Sequence, residues 1–353
     1  MSSESNPTHD PANAIAVIGG GIAGLTAARS LADAGRPVQV FDKGRGVSGR
    51  TSIRYADGDR QFDHGAQYFT ARSEAFTQQI EAWAADGIAA EWQARIATIE
   101  CDDNGCRLGE PPSAKVRYVG CPGMNAPAKR LAEQVVAAGG EVRAGVRVAP
   151  LKRLSGLWRL VSETGESLGD YAKVLVTSPA PQATELMTAS PALSNAAKSV
   201  RMNGSWAAMV AFGEEVAPDF DAAFVNGPVS ATALSWIARN GSKPGRPDAA
   251  TTGDCWVLHG SSEWSEANME LAPDEAAAAL LAAFGKAIDA QLPSPVHCTA
   301  HRWRFALPET PLTESSLADP TIGLYAAGDW CGGPRVEGAY LSGLAAAERI
   351  LAS

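Results

Sequence analysis

The sequence predicts an α/β protein that begins with a parallel sheet. Residues 15–18 form a short continuous apolar run, Ile-Ala-Val-Ile, which is typical of a strand buried on both faces. A glycine-rich turn, a helical stretch over 22–34 and a second apolar strand over 37–41 follow directly. Because strand, turn, helix and strand alternate in this order, the two strands are expected to lie parallel in one sheet.

The later segments predict further helices and strands. Phe76, Ile80 and Trp83 recur at helical spacing, which predicts an amphipathic helix. Residues 102–113 are rich in turn formers and predict a loop between short strands. The remaining pattern predicts helices over 126–138 (ended by Gly139-Gly140), 274–291 and 338–351, strands over 141–148, 158–161, 174–177, 206–212, 255–259 and 324–327, and a turn-rich loop over 240–246.

Length and composition limit the class of protein. The chain has 353 residues, of which 45% are hydrophobic, and this length suggests about two domains. A net charge of −9 argues against a nucleic-acid-binding protein, which usually carries a basic face. No apolar run reaches the ~18 residues of a membrane-spanning helix.

The N-terminal segment and the cysteines bear on the compartment. Residues 1–13 are polar, lack the charged-then-apolar pattern of a signal peptide, and are expected to be a disordered tail. The six cysteines are scattered, without a Cys-x-x-Cys pair, which predicts reduced thiols in a cytoplasmic protein. No metal site is expected, because the histidines and cysteines show no ligand spacing.

The glycine-rich turn carries the main functional signal. Gly19, Gly21 and Gly24 form a G-x-G-x-x-G pattern between the first strand and the first helix. The first glycine permits the tight turn, the second lets a pyrophosphate approach the backbone, and the third lets helix and strand pack closely. Asp42, at the end of the second strand, is placed to accept hydrogen bonds from a ribose 2′-OH. This predicts FAD or NAD rather than NADP.

Three further features favour FAD. Lys43, Arg45, Gly49 and Arg50 follow the second strand, where glycines and arginines can add backbone and charge around a pyrophosphate. Near the C-terminus a strand ends in Gly328-Asp329, a pair whose Asp holds the ribityl chain in flavoproteins of this fold. Residues 335–339, Arg-Val-Glu-Gly-Ala, open the last helix, whose N-terminus would face the flavin N1/C2=O edge.

At this point the chain resembles a known family, the renalases, from about residue 14 to 352. The resemblance is carried by six segments: Ile-x-Val-Ile-Gly-Gly-Gly-Ile-Ala-Gly, Phe41-Asp-Lys-Gly-Arg-Gly, Asp63-His-Gly-Ala-Gln-Tyr-Phe-Thr70, Pro122-Gly-Met-Asn125, His301-Arg-Trp303 and Gly328-Asp-Trp-Cys with Arg-Val-Glu-Gly-Ala339. Renalases belong to the flavin amine-oxidase superfamily, whose fold is similar to that of p-hydroxybenzoate hydroxylase. The resemblance implies a discontinuous FAD-binding domain (14–72, 117–180 and 300–353) and a smaller α+β substrate domain (73–116 and 181–299).

The resemblance also implies a reaction. Renalases oxidise the 2-dihydro and 6-dihydro isomers of NAD(P)H to NAD(P)+ by hydride transfer to flavin N5, and O2 then reoxidises the flavin to give hydrogen peroxide. No catalytic acid or base is needed, because the cofactor supplies the chemistry. The usual glycine doublet before Arg50 is Ser48-Gly49 here. Arg335 stands where amine oxidases have an aromatic cage residue, which disfavours a cationic amine substrate.

Pattern and resemblance together give the expected binding residues. The cofactor set, with FAD held non-covalently, is Gly19, Gly21, Ile22, Ala23, Gly24, Asp42, Lys43, Arg45, Gly49, Arg50, Gly65, Ala66, Gln67, Val148, Gly328, Asp329, Arg335 and Val336. The substrate set is Gln67, Tyr68, Phe69, Thr70, Arg72, Arg117, Tyr118, Val119, Ser205, His301 and Trp303.

Several of these residues have simpler explanations. Tyr68 and Phe69 fit a core strand, Arg117 a solvated strand face, and His301 a structural histidine. The basic and aromatic segment 236–246 fits a solvated loop better than a pocket rim, and Cys331 fits a buried inert thiol.

Alternative functions remain open: an amine oxidase or desaturase of the same fold, and a non-catalytic binding protein on that fold. A binding protein without cofactor would be colourless, whereas a flavoprotein is yellow.

Overall fold

The computed structural model describes residues 10–216 and 218–353. The described chain divides into two compact units, each assembled from separate segments. The first unit comprises the described part of Met1–Gly49 together with Ala128–Arg201 and Pro308–Ser353, and the second comprises Arg50–Pro127 and Met202–Leu307. The chain therefore passes between the units several times. Among the residues described, no helix combines the length and the apolar character needed to cross a bilayer.

The helices and strands are numbered in chain order. The α-helices are α1 (Ile22–Asp33), α2 (Glu74–Ala85), α3 (Ala126–Ala137), α4 (Ala180–Leu186), α5 (Pro191–Lys198), α6 (Ala249–Thr252), α7 (Ser262–Ala267), α8 (Pro273–Ala287) and α9 (Val336–Leu351). The first ten strands are β1 (Ile15–Ile18), β2 (Val38–Asp42), β3 (Arg54–Ala56), β4 (Arg60–Phe62), β5 (Ala89–Glu91), β6 (Ile96–Asp102), β7 (Gly105–Leu108), β8 (Tyr118–Gly120), β9 (Glu141–Ala144) and β10 (Lys152–Leu154). The others are β11 (Leu157–Val161), β12 (Ser167–Tyr171), β13 (Lys173–Val176), β14 (Met202–Phe212), β15 (Ala222–Asn226), β16 (Leu234–Arg239), β17 (Asp254–Gly260), β18 (Pro295–Pro308), β19 (Leu317–Asp319) and β20 (Leu324–Ala326). Short 3-10 helices cover Gly49–Thr51 and Asn240–Ser242.

The first unit contains a six-stranded sheet in the order β19-β20-β13-β1-β2-β9. β1 pairs in parallel with β2 and β13, and β2 and β13 continue in parallel to β9 and β20, so the predicted parallel sheet is confirmed. Only the short edge strand β19 runs antiparallel to its neighbour. Helix α9 packs on α1 at Gly343, where a Cβ would lie 2.3 Å from the carbonyl oxygen of Ala23. This close crossing requires glycine.

The second unit contains a seven-stranded sheet in the order β18-β14-β17-β16-β15-β6-β7. One face packs against α8, where Trp206, Trp256 and Phe284 are buried. The opposite face, called here the second face, carries Met209 and Val257 against Phe62 of β4. The face under α8 therefore forms the larger hydrophobic core of this unit.

Most predicted elements are confirmed, but some bounds differ and many elements were not predicted, among them α4, α5, α7, β15 and β16. β7 (Gly105–Leu108) lies within the stretch 102–113 that was predicted as a loop. The strand predicted over 141–148 ends at Ala144, because Gly145 turns the chain at a φ of +76°. The helix predicted over 274–291 ends at Ala287, just before Asp289, which adopts a φ of +49°. The long strand β18 was not predicted, because arginines interrupt its apolar pattern; Arg302 and Arg304 pair with Glu270. The tail prediction lies outside the described residues for 1–9, while Asp10–Asn13 form a hydrogen-bonded turn.

The prediction of six reduced thiols is wrong for one pair of cysteines. Cys101 and Cys106 form a disulfide within the β6–β7 hairpin. The antiparallel register places them directly opposite each other, with Cα atoms 4.1 Å apart. Spacing alone did not reveal the pair, because a hairpin and not a Cys-x-x-Cys turn brings them together. Cys121, Cys255, Cys298 and Cys331 are free thiols.

Candidate cofactor and substrate sites

The glycine-rich turn of the first unit requires glycine at positions 19 and 24. Gly19 adopts a φ of +119°, and a Cβ there would lie 2.5 Å from the Thr177 hydroxyl oxygen. A Cβ on Gly24 would lie 2.0 Å from the carbonyl oxygen of Gly19. The strand β1 and the helix α1 therefore approach each other as closely as the motif predicts.

The N-terminus of α1 is open and suited to an anion. Gly21 is its N-cap residue, no side chain caps the helix, and its first turn holds no acidic residue. No described atom lies within 4 Å of a Cβ placed on Gly21, and a Cβ on Gly49 would meet only the Gly21 Cα, at 3.4 Å. Unpaired N–H groups and free space beside two glycines fit the pyrophosphate of a dinucleotide.

The Asp42 side chain stabilises the glycine-rich turn. Its carboxylate accepts hydrogen bonds from the backbone N–H groups of Gly20 and Gly44, both at 2.6 Å. A carboxylate has about four lone-pair sites, so acceptor capacity remains for the ribose hydroxyl expected here. Asp42 thus ties the turn after β1 to the turn after β2.

The C-terminal segment of the first unit forms a second open helix end. The N–H of Gly328 donates to the Ser342 hydroxyl at 2.9 Å, and Asp329 beside it is buried. Arg335 is the N-cap residue of α9, and no side chain caps the helix. A Cβ on Gly338 would lie 2.2 Å from the Gly333 carbonyl oxygen, so this turn also requires glycine. A buried carboxylate and an uncapped helix end suit the ribityl chain and the polar edge of a flavin.

The other predicted cofactor residues are divided between the units. Ile22, Ala23, Lys43, Arg45, Val148 and Val336 lie in the first unit with the residues above. Lys43 Nζ donates to Gln182 Oε1 at 3.0 Å, and Val148 forms an isolated bridge with Ser162. Arg50, Gly65, Ala66 and Gln67 lie in the second unit.

The turn at Gly65 is held by the backbone of Arg50. The N–H of Ala66 donates to the Arg50 carbonyl at 2.9 Å, and a Cβ on Gly65 would lie 2.1 Å from that oxygen. The Arg50 guanidinium donates to the Ala306 carbonyl at 2.9 Å. The turn and the end of β18 are therefore fixed to the same residue.

The segment 236–246 is a buried ionic site and not the solvated loop that the sequence suggested. Lys243 Nζ lies 3.1 Å and the Arg246 guanidinium 2.6 Å from Asp63 Oδ2, and all three side chains are 0% exposed. The other Asp63 oxygen accepts the N–H of Met124 at 3.0 Å. The pairing could not be seen in sequence, because Asp63 and its cations are about 180 residues apart.

Gln67 is held within the same network. Its Oε1 accepts from Lys243 Nζ at 3.1 Å and from the Trp236 indole at 3.4 Å. Its Nε2 donates to the carbonyls of Asp63 and Gly65. Because both ends of the amide are engaged, Gln67 acts as an internal cross-link that orients Trp236.

The charges of this network are mutually dependent. Burial alone would raise the pKa of Asp63, but Lys243, Arg246 and the Met124 N–H together hold it below its ordinary value. Burial lowers the pKa of Lys243 to about 8, although Asp63 opposes the shift. Asp63 is therefore an anion at neutral pH and Lys243 is mostly a cation.

An aromatic cluster, formed by Tyr68, Trp92, Phe224 and Trp236, adjoins these cations. The Trp236 ring lies 5.5 Å from Tyr68, 6.4 Å from Trp92 and 4.8 Å from Phe224, between ring centroids. The Arg117 guanidinium lies 5.2 Å from the Tyr68 centroid and 6.0 Å from that of Phe224. Lys243 Nζ lies 5.5 Å from the Trp92 centroid. Trp92 and Phe224 were not predicted from the sequence, because no local pattern connects them to Tyr68.

His301 and Trp303 lie on the second face of the sheet, next to His64. Alternate residues of β18 point to opposite faces, and Ala300 packs in the core under α8. The His64 ring stacks on Trp303 at 5.0 Å and meets His301 edge-on at 4.8 Å, between centroids. The Trp303 indole donates to the His64 carbonyl at 2.9 Å. Arg54, which the sequence analysis did not single out, approaches His301 Nδ1 to 3.3 Å.

The histidines of this region are neutral. Burial lowers the pKa of His64 to about 3, and His301 and Arg54 add to the effect. Burial also lowers the pKa of His259 and of His301 to about 4, with Lys243 contributing at His259 and Arg54 at His301. These rings can accept or donate hydrogen bonds near pH 7 without carrying charge.

The remaining predicted substrate residues differ in their exposure to a ligand. Phe69 and Val119 are buried in the core, where Phe69 packs on Phe76, so we leave their side chains out of the proposed site. Tyr118 pairs with Phe69 through two backbone hydrogen bonds of 2.8 Å. Thr70 is half-buried and Arg72 is exposed. Ser205 lies on the second face, since its neighbour Trp206 packs under α8.

Among the described residues no group of three or more His, Cys, Asp or Glu side chains could hold a metal ion. Cys331 is buried, and burial raises the pKa of its thiol, as expected for an unreactive cysteine.

Comparison with known proteins identifies related sequences and folds. Residues 93–351 match the family model for flavin containing amine oxidoreductases, and residues 17–82 match that for an NAD(P)-binding Rossmann-like domain. A protein from Exiguobacterium assigned as a protoporphyrinogen oxidase is similar in structure, with a TM-score of 0.76 at 14% identity, covering 97% of this chain and 99% of that one. Putrescine oxidase bound to putrescine has a TM-score of 0.71 at 14% identity, covering 97% and 99%. An oxidoreductase from Methanosarcina mazei has a TM-score of 0.69 at 14% identity, covering 95% and 100%. At these identities the structural matches show the fold alone.

Proposed function

Because the chain belongs to the flavin-containing amine oxidoreductase family, with FAD as its cofactor, we propose that it is a renalase-like oxidase acting on 2-dihydro and 6-dihydro isomers of NAD(P)H. We further propose that the first unit is the FAD-binding domain and that the second supplies the substrate residues. Gly21, Asp42 and Asp329 are among the residues that would hold the flavin, and a bound flavin would supply acceptance of a hydride from the substrate, leaving NAD(P)+, and reduction of O2 to hydrogen peroxide.

The observation that carries this proposal is the charge around the aromatic cluster. Arg117 lies against the rings of Tyr68 and Phe224, and Lys243 lies against Trp92. Lys243 is buried and paired with Asp63, so Arg117 is the cation that a ligand at the half-buried Tyr68 and Phe224 would meet. A protonated amine approaching these two rings would be repelled by Arg117, whereas a dinucleotide presents phosphates to Arg117 and flat rings to Tyr68 and Phe224. In the first unit, considered by itself, Arg335 at the start of α9 stands where the resemblance to amine oxidases expects an aromatic cage residue.

The protein residues bind and orient the substrate without acid–base catalysis. The half-buried rings of Tyr68 and Phe224 supply stacking, and the buried Trp236 ring, oriented by Gln67, supports them from behind. The neutral side chains of Ser205 and His301 on the second face supply hydrogen-bonding groups for an uncharged carboxamide. Regioselectivity is expected to follow from orientation, because an ångström-scale misplacement of the donor carbon costs about 100-fold in rate.

An amine oxidase is the second candidate. The family match over residues 93–351 favours it, as does the fold shared with putrescine oxidase. It requires a site for a neutral amine, and Arg117 beside Tyr68 opposes the protonated form that amines adopt in water.

Anaerobic stopped-flow reduction separates the two candidates. The purified holoenzyme is mixed with 2-dihydro NADH, 6-dihydro NADH, ordinary 4-dihydro NADH, a primary amine and a catecholamine. Loss of the flavin absorbance is expected to be rapid with at least one of the first two and slow or absent with the others, and oxygen should then yield peroxide. Rapid bleaching by an amine, or none by either isomer, would contradict the proposal.

A further inference from the structure

The contact between Arg54 and His301 determines which ring nitrogen of His301 carries the proton. Arg54 NH2 lies 3.3 Å from His301 Nδ1. A guanidinium has donors and no acceptor, so the imidazole nitrogen that it contacts must be the acceptor. A neutral imidazole that accepts at Nδ1 carries its hydrogen at Nε2. His301 is neutral near pH 7, because burial and Arg54 lower its pKa to about 4.

The Nε2–H group of His301 is left available for a ligand. Within residues 10–216 and 218–353, no other hydrogen bond of the His301 ring is formed, and the residue is only partly buried. Its ring is held from the sides by aromatic contacts, edge-on to His64 at 4.8 Å and to Trp303 at 4.5 Å. The donor is therefore fixed in direction as well as in protonation.

We propose that Arg54 is a positioning residue that fixes His301 as the Nε2–H tautomer, so that His301 donates a hydrogen bond to a carbonyl oxygen of the substrate. The second half of this inference rests on the proposed function, whose substrate carries a carboxamide. An uncharged donor orients such a carbonyl without repelling a cationic group elsewhere on the ligand. Arg54 has no contact with the substrate in this proposal and acts only through His301.

The tautomer can be measured directly in the full-length holoenzyme labelled with ¹⁵N-histidine. Long-range ¹H–¹⁵N spectra distinguish the two neutral tautomers, and the signals of His301, one of five histidines, are assigned by their loss in His301→Phe. We expect His301 to be Nε2–H in the wild type, to retain that form in Arg54→Lys, which keeps a donor, and to become a mixture in Arg54→Leu. Arg60→Leu is the matched control, because Arg60 lies on the paired strand of the same hairpin and bonds the carbonyls of Thr252 and Asp57.

Kinetics test the role toward substrate. Arg54→Leu and His301→Phe should each slow flavin reduction by the reactive isomer about 2- to 13-fold, the effect of one neutral hydrogen bond. The double variant should be no slower than His301→Phe, since both changes remove the same interaction.

An Nδ1–H form in the wild type, a changed tautomer in Arg54→Lys, or an unchanged tautomer in Arg54→Leu overturns the positioning role. The first two measurements do not need Arg54→Leu, so the proposal can be refuted even if that variant folds poorly. If the rate losses of Arg54→Leu and His301→Phe add in the double variant, Arg54 does not act through His301 and the proposal is overturned. If the tautomer is as expected but neither isomer reduces the flavin, the proposed function fails while the role of Arg54 in fixing the tautomer stands.

Discussion

Neutralising Asp63 should destabilise the protein strongly while leaving its shape almost unchanged. Asp63→Asn removes one negative charge and leaves Lys243 and Arg246 buried without an anion; all three side chains are 0% exposed in the structure. Breaking a buried ion pair by removing one partner costs about 3–5 kcal/mol. Against a total stability of about 5–15 kcal/mol, this is a large fraction of the free energy of unfolding.

Urea unfolding followed by tryptophan fluorescence, with FAD at saturation in every sample, measures the loss. The matched control is Asp219→Asn, which removes the anion of the exposed Arg95–Asp219 pair and is expected to leave the unfolding midpoint unchanged. Lys243→Met should cost less than Asp63→Asn, because Asp63 keeps its bond to Arg246. Equal midpoints for Asp63→Asn and Asp219→Asn would refute the reasoning.

Three further outcomes are expected. Asp42→Ala should weaken FAD binding about 10- to 150-fold in equilibrium dialysis, since a hydrogen bond to a charged group is worth about 1.5–3 kcal/mol; unchanged affinity would exclude Asp42 as a ribose ligand. Acid precipitation should release the yellow colour into the supernatant, and a yellow pellet would show a covalent flavin. His64 and His259 have pKa values of about 3 and 4 in the folded protein against an ordinary 6.5, so the unfolded chain binds more protons below pH 6.5. Stability should be full above pH 6.5 and fall toward pH 4 by about 3 kcal/mol per pH unit, and a flat profile over that window would contradict the assigned burial.

The candidate cofactor site could be proposed from sequence because its motif is local. Gly19 and Gly24 are required by a positive φ and by close contacts, Gly21 is left open, and the spacing to Asp42 is fixed by one helix and one strand. The central strands of the first sheet, β1, β2, β13 and β20, could also be predicted, because they are mostly apolar and buried.

The surroundings of the candidate substrate residues could be predicted only in part, because their contacts join distant segments of the chain. Tyr68 was singled out, but Trp92 and Phe224, which complete its aromatic cluster, carry no local signal. Lys243 and Arg246 lie in a segment whose composition is typical of a solvated loop. Only the position of Asp63 in the fold explains their burial. A charged residue in a turn-rich segment cannot be assigned to core or surface without knowing what lies opposite.

The strand order of the first unit also has a consequence for biosynthesis. The partner of β1, β13, is made more than a hundred residues after it, and β20, which borders β13, more than a hundred residues later again. Helix α9, which packs on α1 through Gly343, follows β20. On the ribosome the glycine-rich turn is therefore made long before the elements that pack around it. We expect this unit to complete its fold only after α9 has left the ribosome, and to depend until then on chaperones that shield exposed apolar strands.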